Sequence, residues 1–121
     1  MKKILVVEDE EYQRLLYKTE LEEEGYIVYV AENGVEGLKK FELERPDLVT
    51  IDIKMPDMDG MELLQRIREI DKDIPIIILT AYGEYSQNFT SWAADKYVVK
   101  SSDLTKIKQE IKNLLEERGS R

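Results

Sequence analysis

Four polar residues of this chain stand at the ends of short apolar runs, and their types suit metal and phosphate chemistry. They are Glu8, Asp9, Asp52 and Thr80. Asp52 is the most informative, because the apolar run 48–51 gives way at once to the turn-like stretch 54–60. A carboxylate at such a point is well placed to act as a nucleophile or a metal ligand. Lys100, just beyond a further apolar run, adds a positive charge.

The residue types that are missing exclude several classes of chemistry. The chain has no cysteine and no histidine, which rules out disulfides, thiolate catalysis, histidine metal ligands, Ser-His triads and a phosphohistidine made on this chain. Its net charge of -8 and pI near 4.7 would repel nucleic acid and anionic membranes. The apolar residues 4–7 are too few for a signal peptide, and no stretch reaches membrane-spanning length. We therefore expect a cytoplasmic protein that binds proteins and cations, with no direct contact to nucleic acid or membrane.

Short apolar runs alternate with longer amphipathic segments along the whole chain. The runs predict strands at 4–7, 27–31, 48–51, 74–79 and 97–99. The amphipathic segments predict helices from the acidic cluster 8–11 to Gly25, from Val35 to before Pro46, over 61–67 with a cap near Asp59, over 84–94, and after a cap at Asp103. The inward side chains expected on the first helix are Tyr12, Leu16, Tyr17 and Leu21, and the helical spacing of the second is given by Val35, Leu38 and Phe41. The last helix has an apolar stripe of Leu104, Ile107, Ile111, Leu114 and Leu115.

This alternation predicts an α/β fold. Right-handed crossovers and buried strands favour a parallel sheet with helices on both faces. The simplest arrangement for 121 residues is a doubly wound, flavodoxin-like, five-stranded parallel sheet in the order 2-1-3-4-5 with five helices. We expect one domain over 1–121, in which 116–121 form a flexible tail.

In this strand order the polar residues converge on one crevice at the carboxyl ends of the strands. Taken singly, each has an ordinary explanation. Glu8 and Asp9 suit a helix start, Asp52 a loop cap, Thr80 a strand end, and Lys100 a solvated surface. A shared site is the stronger hypothesis, because independent structural roles would not require these residues to meet.

Several stretches together resemble the receiver domain of two-component response regulators. They are LVVEDE at 5–10, DIKMPDMDG at 52–60, LTA at 79–81 and YVVK at 97–100. The resemblance spans nearly the whole chain, so 1–121 is expected to be one receiver domain. The amino-acid sequence at 44–49 and 80–84 is most similar to those of single-domain phosphorelay receivers and of the receivers of enhancer-binding transcription factors.

The resemblance implies a phosphoryl-transfer role for the crevice. Asp52 would accept a phosphoryl group from a phosphohistidine on a sensor histidine kinase or a histidine phosphotransfer protein. Thr80 and Lys100 would each contact a phosphoryl oxygen. The implied ligands of Mg²⁺, with Mn²⁺ as a substitute, are Glu8, Asp9, Asp52 and the backbone carbonyl of Lys54.

The resemblance also implies that the output is a conformational switch. Thr80 would shift toward the phosphoryl group and Tyr97, otherwise a half-buried strand aromatic, would rotate inward. This would change the face formed by the fourth helix, fifth strand and fifth helix, which a downstream output protein or domain reads. A phosphorylation-dependent homodimer is also consistent with the resemblance. Such a protein is not an enzyme; it is a signalling phospho-acceptor that promotes its own phosphorylation and dephosphorylation. Ser101 stands where the family usually has proline, which argues against a cis peptide there.

Other functions stay open at this point. The chain could be a receiver domain excised from a multidomain transcriptional regulator. A Mg²⁺-dependent aspartyl-phosphate phosphatase would share Asp52, but it needs an acid two residues later, where Lys54 stands. A flavin or nucleotide binder would need a Gly- or Ser-rich loop after the first strand, where 8–11 is acidic. A phosphorylation-independent interaction module is a further alternative, although such modules usually lose part of the acidic pocket.

Overall fold

The fold is seen in a computed structural model that describes residues 1–53, 60–80, 94–101 and 103–119. Within these ranges the chain forms five β-strands and four α-helices. In chain order they are β1 (Lys3–Val7), α1 (Glu11–Glu23), β2 (Ile27–Ala31), α2 (Gly34–Glu44), β3 (Leu48–Asp52), α3 (Gly60–Ile70), β4 (Ile76–Thr80), β5 (Lys96–Val99) and α4 (Thr105–Gly119). Every predicted strand is present, with small differences at the ends.

The five strands form one parallel sheet in the order β2-β1-β3-β4-β5, as predicted. Val7 lies opposite Ile51, so β1 and β3 end at the same level. Thr80 lies opposite Val99, so β4 and β5 also end together. Because all strands run in one direction, their carboxyl ends share a single edge of the sheet.

Each face of the sheet carries its own buried cluster, because side chains along a strand alternate between faces. One face packs on α2 and α3 through Phe41, Leu63, Leu64 and Ile67. The other face packs on α1 and α4 through Tyr17, Leu21, Leu104, Ile107, Ile111, Leu114 and Leu115. The central strands are therefore buried on both sides, which explains their unbroken apolar runs. The predicted stripe of the last helix is confirmed.

Short-range signals set the ends of the helices. The side-chain oxygen of Asn33 accepts the backbone N–H of Glu36 at 2.8 Å and caps α2. Gly25, with a φ of 98°, follows α1 where the sequence predicts a stop. Asp103 Oδ1 accepts the backbone N–H of Thr105 at 2.9 Å, so this residue bonds the start of the last helix, one position before Leu104, whose carbonyl accepts the N–H of Lys108.

One predicted inward side chain is exposed instead. Tyr12 is 69% exposed. Tyr12 stands five residues before Tyr17, which is about 140° around a helix, so a helix that buries Tyr17 turns Tyr12 outward. The prediction was wrong because an apolar residue near the buried stripe was counted as part of it. Val35, whose spacing predicted the second helix, lies in α2 as expected and is 43% exposed.

The described residues contain four helices where five were predicted. Residues 84–93 of the predicted fourth helix, and the predicted cap Asp59, lie outside the described residues. Ala94 is described and is not helical, so α4 corresponds to the predicted fifth helix. It runs to Gly119, and residues 116–119 of the predicted tail are therefore helical, as the strong helix formers in this stretch allow.

Two further backbone findings concern the described residues. None of their peptide bonds is cis, including the one between Lys100 and Ser101. None of their helices is long and apolar enough to cross a membrane.

Gly60, the first residue of α3, lies against the end of β3, and an added side chain there should strain the site. A Cβ at Gly60 would stand 2.5 Å from the carbonyl oxygen of Asp52 and 2.8 Å from the Cα of Ile53, and backbone cannot yield as a side chain can. We predict that Gly60→Ala lowers the free energy of unfolding by about 2 kcal/mol, measured by urea denaturation.

Gly37→Ala is the matched control for this substitution. Its Cβ would meet side-chain atoms of Val7 and Leu63 at 3.0–3.3 Å, which can shift, and alanine gains about 1 kcal/mol of helix propensity there. Gly37→Ala should therefore be close to neutral. Equal losses in the two variants would contradict the proposed backbone conflict at Gly60.

Candidate metal centre

The predicted polar residues meet at the carboxyl edge of the sheet. Glu8 follows β1 directly, Asp52 is the last residue of β3, Thr80 is the last residue of β4, and Lys100 follows β5. The strand register places these four positions within about two residues of one level across β1, β3, β4 and β5. The sequence could predict this convergence because the strand order alone decides which strand ends are neighbours.

Three carboxylates form a tight cluster in this crevice. Glu8, Asp9 and Asp52 each place a carboxylate oxygen within 4.8 Å of the others. Glu8 is fully buried and Asp52 is 5% exposed, whereas Asp9 is exposed. Two unit charges of like sign 4 Å apart repel by about 4 kcal/mol at the effective dielectric typical of protein surfaces. The cluster therefore requires positive charge beside it.

Lys100 supplies part of that positive charge. Its ammonium lies 2.9 Å from Glu8 Oε1 and donates a hydrogen bond to Asp52 Oδ2 at 3.0 Å. Its backbone N–H donates to the carbonyl of Thr80 at 2.7 Å, which ties the end of β5 to β4. Burial alone would lower the pKa of Lys100, but its contacts with the two carboxylates outweigh burial and raise the pKa above its usual value. The lysine thus stays charged between the two acids.

The buried position of Glu8 changes its protonation. Burial raises the pKa of Glu8 to about 7; the ammonium of Lys100 opposes this rise, and the charge of Asp52 adds to it. Without further positive charge, Glu8 therefore takes up a proton near neutral pH. A cation bound beside it would release that proton, because only the carboxylate form is a ligand.

The donor atoms present fit a hard divalent cation such as Mg²⁺. The cluster offers carboxylate oxygens alone, which Mg²⁺ prefers over softer metals. Among the described residues no hydrogen bond reaches Glu8 Oε1, whose contact is the ion pair with Lys100, so this buried oxygen retains capacity for a further cation or ordered water. Three of the four predicted ligands are thus brought together; the fourth, the carbonyl of Lys54, lies outside the described residues.

The two predicted switch residues share one face of the sheet. Thr80 is 1% exposed at the end of β4, and Tyr97 is half-buried on β5, where it packs against the cluster between the sheet, α2 and α3. Tyr97 lies opposite Ile78, and Ile78 and Thr80 point to the same face because side chains alternate along a strand. The two side chains are therefore diagonal neighbours on adjacent strands.

One further residue at the site was missed by the sequence analysis. Arg14 Nη1 donates hydrogen bonds to the backbone carbonyls of Glu8 at 2.9 Å and Asp9 at 3.2 Å. No feature of the sequence distinguishes Arg14, because an arginine in an amphipathic helix is most often a solvated charge.

Comparison with known proteins identifies the class that this sheet and acidic crevice define. The family model described as "Response regulator receiver domain" matches residues 4–112. The chain therefore belongs to the response regulator receiver domain family, as the resemblance predicted.

Curated relatives of two kinds are similar to the chain. Sporulation initiation phosphotransferase F of Bacillus subtilis is 40% identical over 115 residues, which are 93% of this chain and 93% of that protein. The probable transcriptional regulator ycf27 of Cyanophora paradoxa is 43% identical over 116 residues, which are 94% of this chain but 48% of that protein. The chain thus spans nearly all of the first relative and about half of the second.

Solved structures of one relative are similar in both sequence and fold. The response regulator TrrA of Thermotoga maritima, in complex with Mg²⁺-BeF, is 52% identical, has a TM-score of 0.90, and is matched over 94% of this chain and 99% of that one. TrrA in complex with the histidine kinase ThkA is 52% identical with a TM-score of 0.88, over 95% and 99% of the two chains.

The raised pKa of Glu8 predicts an unusual pH dependence of stability in the absence of divalent cations. Folding favours the protonated form of Glu8, so this residue contributes stability that is present below pH 4.5 and is lost as the pH rises through about 7. We expect wild-type protein in EDTA to lose up to about 3 kcal/mol across this window relative to Glu8→Gln. Urea denaturation at a series of pH values measures the difference.

Glu62→Gln, which changes an exposed glutamate of α3, is the control and should keep the wild-type pH profile. A Glu8→Gln profile parallel to that of the wild type would show that Glu8 does not titrate in this range.

The position of Lys100 between two acids predicts a large loss of stability when its charge is removed. Lys100→Ala leaves Glu8 and Asp52 without their cation, and we expect the free energy of unfolding to fall by roughly 3 kcal/mol in EDTA. Added Mg²⁺ should restore more stability to this variant than to the wild type.

Lys96→Ala, at the other end of β5, is the matched control. The side chain of Lys96 is 47% exposed and lies 3.7 Å from Glu110, and an ion pair with a solvent-exposed lysine at this distance contributes about 1 kcal/mol at most. The two lysine variants should differ clearly; similar losses would argue against Lys100 as the compensating charge.

Proposed function

We propose that this protein is a two-component receiver that accepts a phosphoryl group from a phosphohistidine onto Asp52 in a Mg²⁺-dependent reaction and then signals to a partner. The observation that carries the proposal is the contact of the Lys100 ammonium with Asp52 beside Glu8 and Asp9. Asp52 lies at a strand end beside the ammonium of Lys100 and beside carboxylates that could bind a metal cation. These two positive charges would allow its carboxylate to react with an anionic phosphoryl group.

Asp52 is the proposed nucleophile because of its place and its surroundings. Its carboxylate oxygen would form a bond to phosphorus while the bond from phosphorus to the partner's imidazole nitrogen breaks, which leaves an aspartyl phosphate and a free histidine. These 121 residues contain no histidine, so the donor histidine must lie outside them. Both reactants carry negative charge, and the Lys100 ammonium lowers their mutual repulsion.

Asp9, Asp52 and Glu8 are the side chains that would hold Mg²⁺, and the carbonyl of Lys54 is proposed as a further ligand. When bound, the ion supplies positive charge that stabilises the phosphoryl oxygens during transfer. Mn²⁺, which also prefers oxygen ligands, is proposed as a substitute. The protein itself acts as a phospho-acceptor that promotes its own phosphorylation and dephosphorylation rather than as an enzyme with a separate substrate.

The proposed output is a rearrangement around Thr80 and Tyr97. A phosphoryl group adds nearly two negative charges at the crevice, which would draw the Thr80 hydroxyl and the Lys100 ammonium toward it. The diagonal placement of Thr80 and Tyr97 supports a coupled movement of Tyr97 toward the space near Thr80. The face read by a partner would include β5, α4 and the predicted helix at 84–94.

The relatives support proposals about partners. TrrA is described in complex with a histidine kinase, so a sensor histidine kinase or a histidine phosphotransfer protein is the proposed donor here. The similarity to sporulation initiation phosphotransferase F supports a phosphorelay role, for which we propose a cytoplasmic location. The match to half of several transcriptional regulators supports a second candidate, a receiver domain joined to an output domain. A phosphorylation-dependent homodimer remains a prediction.

Phosphorylation by a small donor tests the central proposal directly. Incubation with acetyl phosphate and Mg²⁺ should add the mass of one phosphoryl group to the wild-type protein, detected by intact-mass spectrometry. Asp52→Asn should remain unmodified because its amide is not nucleophilic. EDTA should prevent modification of the wild type.

Asp73→Asn is the matched control, because Asp73 is exposed in the turn before β4, at the opposite edge of the sheet. It should be modified like the wild type. Modification of Asp52→Asn, or its persistence in EDTA, would refute the proposed reaction.

A further inference from the structure

Arg14, near the start of α1, hydrogen-bonds the loop between β1 and α1, which carries Glu8 and Asp9, two of the proposed metal ligands. Its guanidinium Nη1 donates to the backbone carbonyls of both Glu8 and Asp9, at 2.9 and 3.2 Å. Its side chain is 17% exposed, which is low for an arginine on a helix. A single nitrogen, Nη1, therefore donates to two consecutive peptide carbonyls while Nη2 faces Glu32; a lysine side chain is one atom shorter and has one nitrogen, so it cannot reproduce all three contacts.

The loop has few other restraints near Asp9. The backbone N–H of Glu8 donates to the carbonyl of Ala31 at 2.9 Å, and Glu8 Oε2 accepts the N–H of Glu10 at 3.2 Å. Glu8 is thus held at its N–H, its carboxylate and its carbonyl. Asp9 is exposed, and the contact of its carbonyl with Arg14 is a direct restraint on its position.

A second acidic residue holds the outer end of the guanidinium. Glu32, directly after β2, places Oε2 3.9 Å from Arg14 Nη2. Its side chain is 60% exposed, so this ion pair is weak. Arg14 nevertheless connects the loop after β1 to the loop after β2 at the crevice.

We propose that Arg14 is a positioning residue that sets the affinity of the crevice for its divalent cation. This inference rests on the proposed metal site and deepens it. By holding the carbonyls of Glu8 and Asp9, Arg14 keeps both carboxylates in place beside Asp52 before the ion arrives. Without this brace, the loop must be ordered during binding, and that cost weakens the affinity.

The positive charge of Arg14 affects the Mg²⁺ affinity in the opposite direction, so the proposal predicts whether a substitution raises or lowers that affinity. A guanidinium close to a cation site repels the cation, so removal of charge alone would strengthen binding. Loss of the brace would weaken it. Arg14→Lys keeps the charge but its shorter side chain does not place a nitrogen where Nη1 stands, whereas Arg14→Gln loses the charge and the contacts together.

Titration calorimetry with Mg²⁺ on the unphosphorylated protein is the test. We expect about tenfold weaker binding in Arg14→Lys and Arg14→Gln, the size seen when residues that orient metal ligands are changed. Glu32→Gln, which removes only the outer ion pair, should weaken binding by no more than a few-fold. Lys18→Ala, an exposed α1 residue paired with Glu22, is the control and should bind like the wild type.

A kinetic measurement distinguishes a loss of Mg²⁺ affinity from a general loss of activity. At saturating Mg²⁺ the maximal rate of modification by acetyl phosphate should be unchanged in Arg14→Lys, while the Mg²⁺ concentration for half-maximal rate rises by the same factor as the dissociation constant. Thermal unfolding verifies that each variant is folded, and Arg14→Lys remains informative if Arg14→Gln is not.

The outcomes distinguish this inference from the proposed function. Wild-type Mg²⁺ affinity in Arg14→Lys would overturn the positioning role, as would tighter binding in Arg14→Gln, even if Asp52 is phosphorylated. Weaker Mg²⁺ binding in both variants would support the positioning role even if Asp52 were never modified, which would instead refute the phosphoryl transfer.

Discussion

The ammonium of Lys100 lies between two buried or nearly buried carboxylates, and the acidic crevice depends on that single charge. Glu8 and Asp52 would repel each other strongly in a site so poor in water. Lys100 offsets this repulsion but does not neutralise the site, because Asp9 adds a third carboxylate to the cluster. The excess of negative charge in this crevice suits a divalent cation, and the proposed function is that the crevice, with the cation bound, accepts an anionic phosphoryl group.

The packing of the sheet offsets the electrostatic repulsion within this cluster. Each acid stands at the end of a strand whose preceding residues are fully buried, so the cost of holding the carboxylates together is met by the packing of two apolar layers. Parallel strands end at one edge, which places all four polar strand ends in one crevice. Gly60, the first residue of α3, lies close to the backbone of Asp52, so α3 begins directly beside the site.

Much of this was predictable because the signals are local. Apolar runs of four or five residues predicted the strands, and the strand order then predicted that Glu8, Asp52 and Thr80 would meet. One error was also local in origin. Tyr12 was assigned to the buried stripe of α1 although the helix turns it outward. Residue type was informative there, but the geometry of the whole helix decided the outcome.

The sequence by itself determined the order of the elements, the acids at the strand ends and the absence of histidine and cysteine, because each of these depends on residue type and spacing along the chain. Only the tertiary structure decided that Lys100 contacts both Glu8 and Asp52, that burial raises the pKa of Glu8 to about 7, and that Arg14 holds the loop between β1 and α1. These properties depend on distances through space between residues far apart in sequence and on the exclusion of water, and neither is encoded in a local pattern.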